Sequence, residues 1–317
     1  KAVAMAHATG RGLLIWAGKE PEALSAPTPI RRVEDGFLRS RGLGADLIAP
    51  LSLVTDDLGI YYDPSRPSRL EQLIAAPLPP GGALRVTRLI ESLTAAGLSK
   101  YNLGGALPDL PQGHRILVPG QVEDDASIRL GTAEVRTNLC LLQAARAANP
   151  DAVLIYKPHP DVEAGLRPGA IAPDALVGLA DAVAHHADPI ALLAQIDAVW
   201  TMTSLLGFEA LIRGKPVTCL GAPFYAGWGL TRDLGPIPNR RRYAPDGHAL
   251  PRRDITALAH ATLIAYPRYY DPVSRRPCPP EVIIDRLTNG PLPKPGRFNR
   301  ILAKLQGRFA SHARMWR

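Results

Sequence analysis

The sequence has few cysteines and no long apolar run, and both shortages exclude classes of protein. Its three cysteines, Cys140, Cys219 and Cys278, form neither a CxxC pair nor an even-numbered disulfide framework. We therefore expect reduced thiols in a cytoplasmic protein. No apolar stretch approaches the roughly 18 residues of a transmembrane helix, and no signal peptide is visible. Because the sequence starts at Lys1 and not at Met, we expect a segment of a longer protein.

Acidic residues are absent from residues 294–317, which contain seven lysines and arginines. The net charge of the whole chain is +8, so the remainder is close to neutral. Apolar side chains are interspersed with these cations, which predicts a basic amphipathic helix. Such a helix could lie on an anionic membrane, or pack on the protein with its basic face in solvent. Nucleic-acid binding is disfavoured, because no basic stripe with stacking aromatic residues occurs elsewhere.

Apolar strands alternate with helices in the second half of the chain. The predicted strands are RILVPG, AVLIYKPHP, DAVAHH, AVWTMT and KPVTCLG. This alternation predicts a parallel, doubly wound α/β domain, whose ligands bind at the carboxyl ends of the strands. Before the connector NLGGALPDLPQG we expect strands at GLLIWAG and IRRVED, two short strands in LIAPLSLVTDDLGIYYD, and helices at residues 68–76 and 83–96.

Polar residues that could do chemistry follow four of the predicted strands. They lie in the stretches VEDGFLRSRGLG, PGQVEDDASIRLG, KPHPDVEAG and TMTSLLGFEAL. The second stretch has three acids at residues 123–125, which could bind a divalent metal. No second acidic cluster with metal-ligand spacing completes such a site. The alternative is a carboxylate that attacks a substrate or moves a proton.

The third and fourth stretches have features of a phosphate site. Thr203 and Ser204 begin a helix, whose first N–H groups and positive dipole end favour an anion, although Ser204 could be only an N-cap. Glu209 lies within an otherwise apolar helix. Because an unpaired buried carboxylate is costly, it needs a partner, either a ribose diol or an internal arginine. His159, held rigidly between two prolines beside Lys157, could meet a phosphate, although a lone histidine is usually structural.

Together these motifs resemble the KpsC-type capsule polysaccharide proteins, bacterial β-Kdo glycosyltransferases that build an oligo-Kdo linker on a lipid. The resemblance runs from about Gly12 to about Leu287. Its motifs are VEDGFLRS, PLSLVTDDLGIYYDPSRPSRLE, PGQVEDDASIRLG, YKPHPDVEAG, TMTSLLGFEALIRGKPV and PFYAGWGLT. Proteins of the family usually carry two transferase modules in tandem, and this chain looks more like the C-terminal module.

The resemblance implies a GT-B-like α/β fold, in which two Rossmann-type domains face a central cleft and C-terminal helices cross back. We place an acceptor-side α/β domain at residues 1–108, a CMP-sugar-binding domain at 109–268, and a helical segment with the basic tail at 269–317. The donor would be CMP-β-Kdo and the acceptor a lipid-linked β-Kdo. The implied reaction needs no metal and retains the anomeric configuration, with a 2→7 linkage favoured over 2→4.

The resemblance also implies roles for individual residues. The family's Q-x-x-x-D-x-S pattern corresponds here to Gln121, Asp125 and Ser127, and its aspartate is the proposed nucleophile. The glutamate of the VEDG motif, Glu34, is the candidate acid/base. The CMP phosphate would be held by the remaining donor-binding motifs, which contain Lys157, His159, Pro160, Thr203 and Ser204.

Kdo is an acidic sugar with a carboxylate on its anomeric carbon. Arg39 or Arg41 would therefore meet a carboxylate of the donor or acceptor through paired hydrogen bonds, whereas Asp35 could simply accept loop N–H groups. The expected location is the cytoplasm, at the inner face of the bacterial inner membrane. Two other functions fit the sequence: a transferase for a different nucleotide sugar, and a non-catalytic glycolipid-binding module that depends on its basic tail.

Overall fold

Two β-sheets organise the part of the chain that the computed structural model describes, residues 2–20, 29–42, 48–102 and 104–292. Their strands are β1 (Leu13–Trp16), β2 (Ile30–Asp35), β3 (Ser52–Asp56), β4 (Arg115–Pro119), β5 (Val153–Lys157), β6 (Ala182–Val183), β7 (Ala198–Thr201), β8 (Val217–Cys219), β9 (Arg232–Asp233), β10 (Pro267–Asp271) and β11 (Arg276–Cys278). The basic amphipathic helix expected at residues 294–317 lies outside the described residues.

The helices are mostly short. They are α1 (Ala2–Thr9), α2 (Arg69–Ala75), α3 (Gly82–Ala95), α4 (Ala126–Gly131), α5 (Asn138–Ala148), α6 (Pro160–Glu163), α7 (Pro173–Leu176), α8 (Pro189–Gln195), α9 (Leu205–Leu211), α10 (Ile255–His260) and α11 (Pro280–Thr288). A π-helix, Ala261–Ala265, continues α10. Within the described ranges, none of the helices is long and apolar enough to span a membrane.

The first sheet is mixed, with the strand order β1-β2-β3-β10-β11. Only β1 and β2 are parallel, and the remaining neighbours are antiparallel. The sequence predicts a second strand after β3, and this prediction is wrong. The buried carboxylate of Asp56 accepts the N–H groups of Leu58 and Gly59, both at 2.9 Å. The backbone therefore turns at this point, and the following residues form a loop.

The second sheet is parallel throughout, with the order β6-β5-β4-β7-β8-β9. Its first five strands are the ones that the apolar runs predict. Since β5 and β6 lie on one side of β4, and β7 to β9 on the other, the strand order reverses between β4 and β7. Loops leaving the carboxyl ends of these two strands diverge, and the crevice between them is where open parallel sheets bind ligands.

The chain returns to the first sheet after β9. Helix α10 and the π-helix pack against α2 and α3, and β10 and β11 then extend the first sheet. The sequence predicts a helical segment from residue 269, whereas the structure begins this segment with strands. In β10, buried Pro267, Tyr269 and Asp271 alternate with exposed Arg268 and Tyr270. This period of two is typical of a strand with one buried face.

The first half of the molecule is built on the first sheet and the second half on the second sheet. Aromatic packing and a buried ion pair join these two halves. Phe37 of the first half packs on Phe224 of the second, with ring centroids 5.2 Å apart. Glu71 of α2 accepts a hydrogen bond of 2.6 Å from Nε of Arg241, whose exposed fraction is only 2%. Nη1 of Arg241 also donates to the carbonyl of Pro223 at 2.6 Å. This guanidinium therefore fixes α2 against the loops of the second half.

We expect Arg241→Met to lower the free energy of unfolding by about 1–3 kcal/mol, because the buried carbonyl of Pro223 loses its donor and Glu71 keeps only Arg240 as a partner. The measurement is urea denaturation at neutral pH. Arg69→Met is the matched control, since Arg69 pairs with Asp57 at 2.7 Å in an exposed position, where solvent screens the interaction and its loss should be small. Equal small losses in both variants would contradict a bridging role for Arg241.

Candidate active site

A cavity of about 680 Å³ lies at the strand-order reversal, between the two halves. The first half contributes the end of β2, and the second half contributes the loops after β4, β5 and β7. Residues 99–101 and 104, in the connection between the halves, form a further wall. The predicted site residues that line it are Glu34, Gln121, Asp125, Ser127, Lys157, His159, Pro160, Thr203, Ser204 and Glu209. The fold thus brings together residues that are up to 175 positions apart in the sequence.

Gln121 and Thr203 join the ends of β4 and β7. The side-chain amide of Gln121 donates to Oγ1 of Thr203 at 3.0 Å, and its oxygen accepts the Thr203 N–H, also at 3.0 Å. The backbone N–H of Gln121 is bound in turn by Asn138. These contacts occupy both ends of the amide, so Gln121 positions Thr203. The sequence predicted Gln121 as a donor-binding residue and did not predict this positioning role.

Asp125 and its neighbour Asp124 have different surroundings. Asp125 lines the cavity and caps α4, and its Oδ1 accepts hydrogen bonds from the N–H and hydroxyl of Ser127 at 2.9 and 2.7 Å. Asp124 instead pairs with Arg167 at 2.5 Å and is absent from the cavity lining. Ser127 therefore holds the Asp125 carboxylate in one orientation and leaves its Oδ2 for other contacts.

Lys157 and His159 lie together where β5 ends. Burial lowers the pKa of the Lys157 ammonium, which is only 6% exposed and donates to the carbonyl of Pro158 at 3.3 Å. Nδ1 of His159 accepts the Asp161 N–H at 3.2 Å, so the neutral ring carries its proton on Nε2. Burial also lowers the pKa of His159, against the opposing charge of Asp161. The pair offers two donors suited to an anion.

Pro160 and Ser204 fix the starts of two helices that border the cavity. Pro160 is the first residue of α6, with His159 as its N-cap. Ser204 is the N-cap of α9 and accepts the Leu206 N–H at 3.2 Å. The capping role that the sequence left open for Ser204 is therefore present, and its hydroxyl proton remains available to a ligand.

Glu34 is the penultimate residue of β2 and lines the cavity from the side of the first sheet. Burial raises the pKa of its carboxyl group, although the Asp35 N–H, donating at 3.0 Å, and the charge of Lys100 act in the opposite direction. The negative charge of Asp125 also raises this pKa, so the two carboxylates share one electrostatic environment. A carboxyl group with a raised pKa is suited to take up a proton near neutral pH.

Arg39 and Arg41, predicted to meet a substrate carboxylate, have internal partners and do not line the cavity. The buried Arg39 forms an ion pair with Asp35 at 2.5 Å and donates to Ser40 at 2.9 Å. Arg41 donates to the carbonyl oxygen of Leu287. The arrangement does not support the predicted role, because these cations hold the loop in place. Asp35 accepts the Arg39 guanidinium instead of the loop N–H groups expected for it.

Glu209 is 8% exposed and borders the cavity. Its Oε1 accepts the backbone N–H of Lys100 at 2.9 Å, a partner that neither sequence alternative included. The guanidinium of Arg213 lies nearby but donates to the carbonyls of Glu209 and Leu98. Burial raises the pKa of Glu209 to about 7, against the attraction of Arg213.

Sequence reasoning missed Lys100, Tyr61 and Tyr62, which also line the cavity. The two tyrosines lie in the motif DDLGIYYD, which carried part of the resemblance and could have indicated them. Lys100 lies in the connection between the halves, and the residues that flank it in the sequence belong to none of the motifs quoted above. Among the described residues, no three His, Cys, Asp or Glu side chains are grouped closely enough to hold a metal ion. The prediction that no metal is needed stays a prediction.

The chain matches the family of capsule polysaccharide biosynthesis proteins over residues 22–100 and 109–269. It belongs to this family. The capsule polysaccharide modification protein LipA of Neisseria meningitidis serogroup A is 48% identical over 267 residues, covering 82% of this chain and 37% of LipA. The lipopolysaccharide-processing protein LpsZ of Rhizobium meliloti is 46% identical over 254 residues, covering 78% of this chain and 56% of LpsZ. The chain thus spans about a third of LipA and just over half of LpsZ.

Two solved structures from Thermosulfurimonas dismutans are similar to this chain. The KpsC β-Kdo 2,4 transferase has a TM-score of 0.77 and 35% identity, covering 87% of this chain and 86% of that structure. The KpsC β-Kdo 2,7 transferase has a TM-score of 0.72 and 35% identity, covering 91% and 88%. These similarities confirm the resemblance to KpsC-type proteins and the α/β fold. Equal identity to both leaves the 2→7 linkage a prediction.

We expect the Glu209 carboxyl group to make stability depend on pH. The folded protein keeps this proton up to about pH 7, whereas the unfolded chain loses it near pH 4.5. The free energy of unfolding should therefore fall as pH rises through this window, by roughly 3 kcal/mol from this group. Glu209→Gln keeps an acceptor for the Lys100 N–H and should remove the part of the pH dependence of stability that comes from this carboxyl group. Identical slopes in urea titrations of both proteins would contradict the assignment.

Proposed function

We propose that this chain is a retaining β-Kdo transferase that moves Kdo from CMP-β-Kdo to a β-Kdo acceptor. The proposed arrangement is GT-B-like, with the acceptor on the side of the first sheet and the nucleotide on the side of the second. The placement of Glu34 and Asp125 in one cavity at the strand-order reversal carries this proposal. The similarity to two Kdo transferases supports the choice of sugar.

The proposed nucleotide site is formed by the second half. Lys157 and Nε2–H of His159 would bind the phosphate, with the Ser204 hydroxyl as a further donor. A lysine ammonium and an imidazole supply charge and hydrogen bonds to a phosphate, so the scheme requires no metal. Glu209 would accept hydrogen bonds from the ribose diol, and such contacts would favour its charged form.

The proposed reaction proceeds by two displacements. Asp125 attacks the anomeric carbon from the face opposite CMP, forming a carbon–oxygen bond while the bond to the phosphate breaks and CMP departs. An acceptor hydroxyl then attacks the same carbon from the face that CMP has left, giving its proton to Glu34 and releasing the Asp125 carboxylate. Each displacement inverts the carbon, so the product retains the original configuration.

We further propose that the acceptor is linked to a lipid and that the chain acts at the cytoplasmic face of the bacterial inner membrane. The basic segment at residues 294–317, which has no acidic residue, supports this proposal. Lysines and arginines near an anionic membrane surface contribute about 1 kcal/mol each. The proposed linkage is 2→7.

We expect Asp125 to form a covalent bond to Kdo during turnover. Incubation with CMP-β-Kdo and a slow acceptor should add the mass of one Kdo to the intact protein, and proteolysis should place it on the peptide containing Asp125. Asp125→Ala should remove the adduct and lower the rate more than about a thousandfold, since this corresponds to about 4 kcal/mol of activation barrier.

Asp124→Ala is the matched control, because Asp124 lies next to Asp125 but is absent from the cavity lining and pairs with Arg167 instead of facing the site. We expect this variant to keep both the adduct and most of the rate. An active Asp125→Ala variant, together with turnover of the wild type without any adduct, would exclude double displacement through Asp125.

A further inference from the structure

Two lysines line the cavity, and the proposed reaction uses only one of them. Lys157 lies at the end of β5 beside His159, where the phosphate is expected. Lys100 lies in the connection between the halves, on the side of Glu34. An acidic sugar bound to CMP presents two anionic groups, a phosphate and a carboxylate, so a second cation has an evident use.

The backbone of Lys100 is fixed to both halves of the molecule. Its N–H donates to Glu209 of α9 at 2.9 Å. Its carbonyl accepts the N–H groups of Arg39 and Ser40, both at 3.2 Å, from the loop that follows β2. The base of this side chain therefore has a defined position relative to Glu34, unlike that of a lysine in a free surface loop.

The ammonium of Lys100 has no anionic partner within the described residues. None of their carboxylates lies within 4.0 Å of it, and none of their groups accepts a hydrogen bond from it. Its recorded contact is with the ring of Tyr101, whose centroid is 5.3 Å from Nζ. Burial lowers the pKa of Lys100, but nearby negative charge, including the carboxylates of Asp35 and Glu34, raises the pKa overall. The ammonium is therefore charged at neutral pH.

We propose that Lys100 forms a separate subsite for the carboxylate of the reacting acidic sugar. This inference rests on the proposed function and replaces the role predicted for Arg39 and Arg41, whose guanidinium groups are engaged elsewhere. The carboxylate is attached to the carbon that transfers from CMP to Asp125 and then to the acceptor. An ammonium on a flexible four-carbon stem can follow it through both displacements, whereas a guanidinium fixed by internal bonds cannot.

The test compares free Kdo with its methyl ester, which lacks the negative charge, by calorimetry in saturating CMP. We expect the wild type to prefer Kdo by roughly 10- to 100-fold, as for a hydrogen bond to a charged group. Lys100→Gln should lose this preference and keep its CMP affinity, and Lys100→Arg should restore part of the preference. Lys157→Gln should bind CMP more weakly and still prefer the acid.

Lys215→Gln is the control, because its ammonium donates to the carbonyl of Ile196 at 2.8 Å and does not line the cavity. It should change neither affinity. A full preference for the acid in Lys100→Gln, or an equal loss of CMP affinity in that variant, would overturn the subsite. A wild type that binds CMP but does not distinguish acid from ester would also overturn it. Failure of the wild type to bind CMP would overturn the proposed function itself.

Discussion

The hydrogen bond from the Lys100 N–H to the buried carboxylate of Glu209 connects the two halves at the cavity. The carbonyl of the same residue accepts the N–H groups of Arg39 and Ser40, and Arg39 is paired with Asp35, next to Glu34. A continuous path of hydrogen bonds thus runs from α9 to the end of β2. This path acts together with the Phe37–Phe224 packing and the Glu71–Arg241 ion pair to position Glu34 relative to the second sheet, because the strands of the two sheets do not pair with each other.

This path accounts for a division of roles among the charged residues. The arginines after β2 are used to hold the loop, and Gln121 is used to hold Thr203. Lys100 and Lys157 line the cavity and lack carboxylate partners among the described residues, whereas Arg167, which also lines it, is paired with Asp124. Burial shifts the pKa values of Glu34 and Glu209 upward, so both carboxyl groups can exchange protons closer to neutral pH than an exposed glutamate would.

The sequence predicted the second sheet and most of the site because both depend on local signals. Continuous apolar runs identify parallel strands, and residues directly after them must reach the ligand crevice. The direction of a long side chain does not follow from such signals, so Arg39 was placed in the cavity although Asp35 binds it internally. The return of β10 to the first sheet depends on contacts more than 200 residues apart, and Lys100 reaches the cavity only through that tertiary arrangement.

The central claim is the transfer of Kdo with retention, and the most direct test is product analysis by NMR. The chain would be incubated with CMP-β-Kdo and a short β-Kdo acceptor in buffer containing EDTA. The account predicts release of CMP that depends on the acceptor, and a new β-configured Kdo residue in the product. A product with the α configuration, or no CMP release until a divalent metal is supplied, would contradict it.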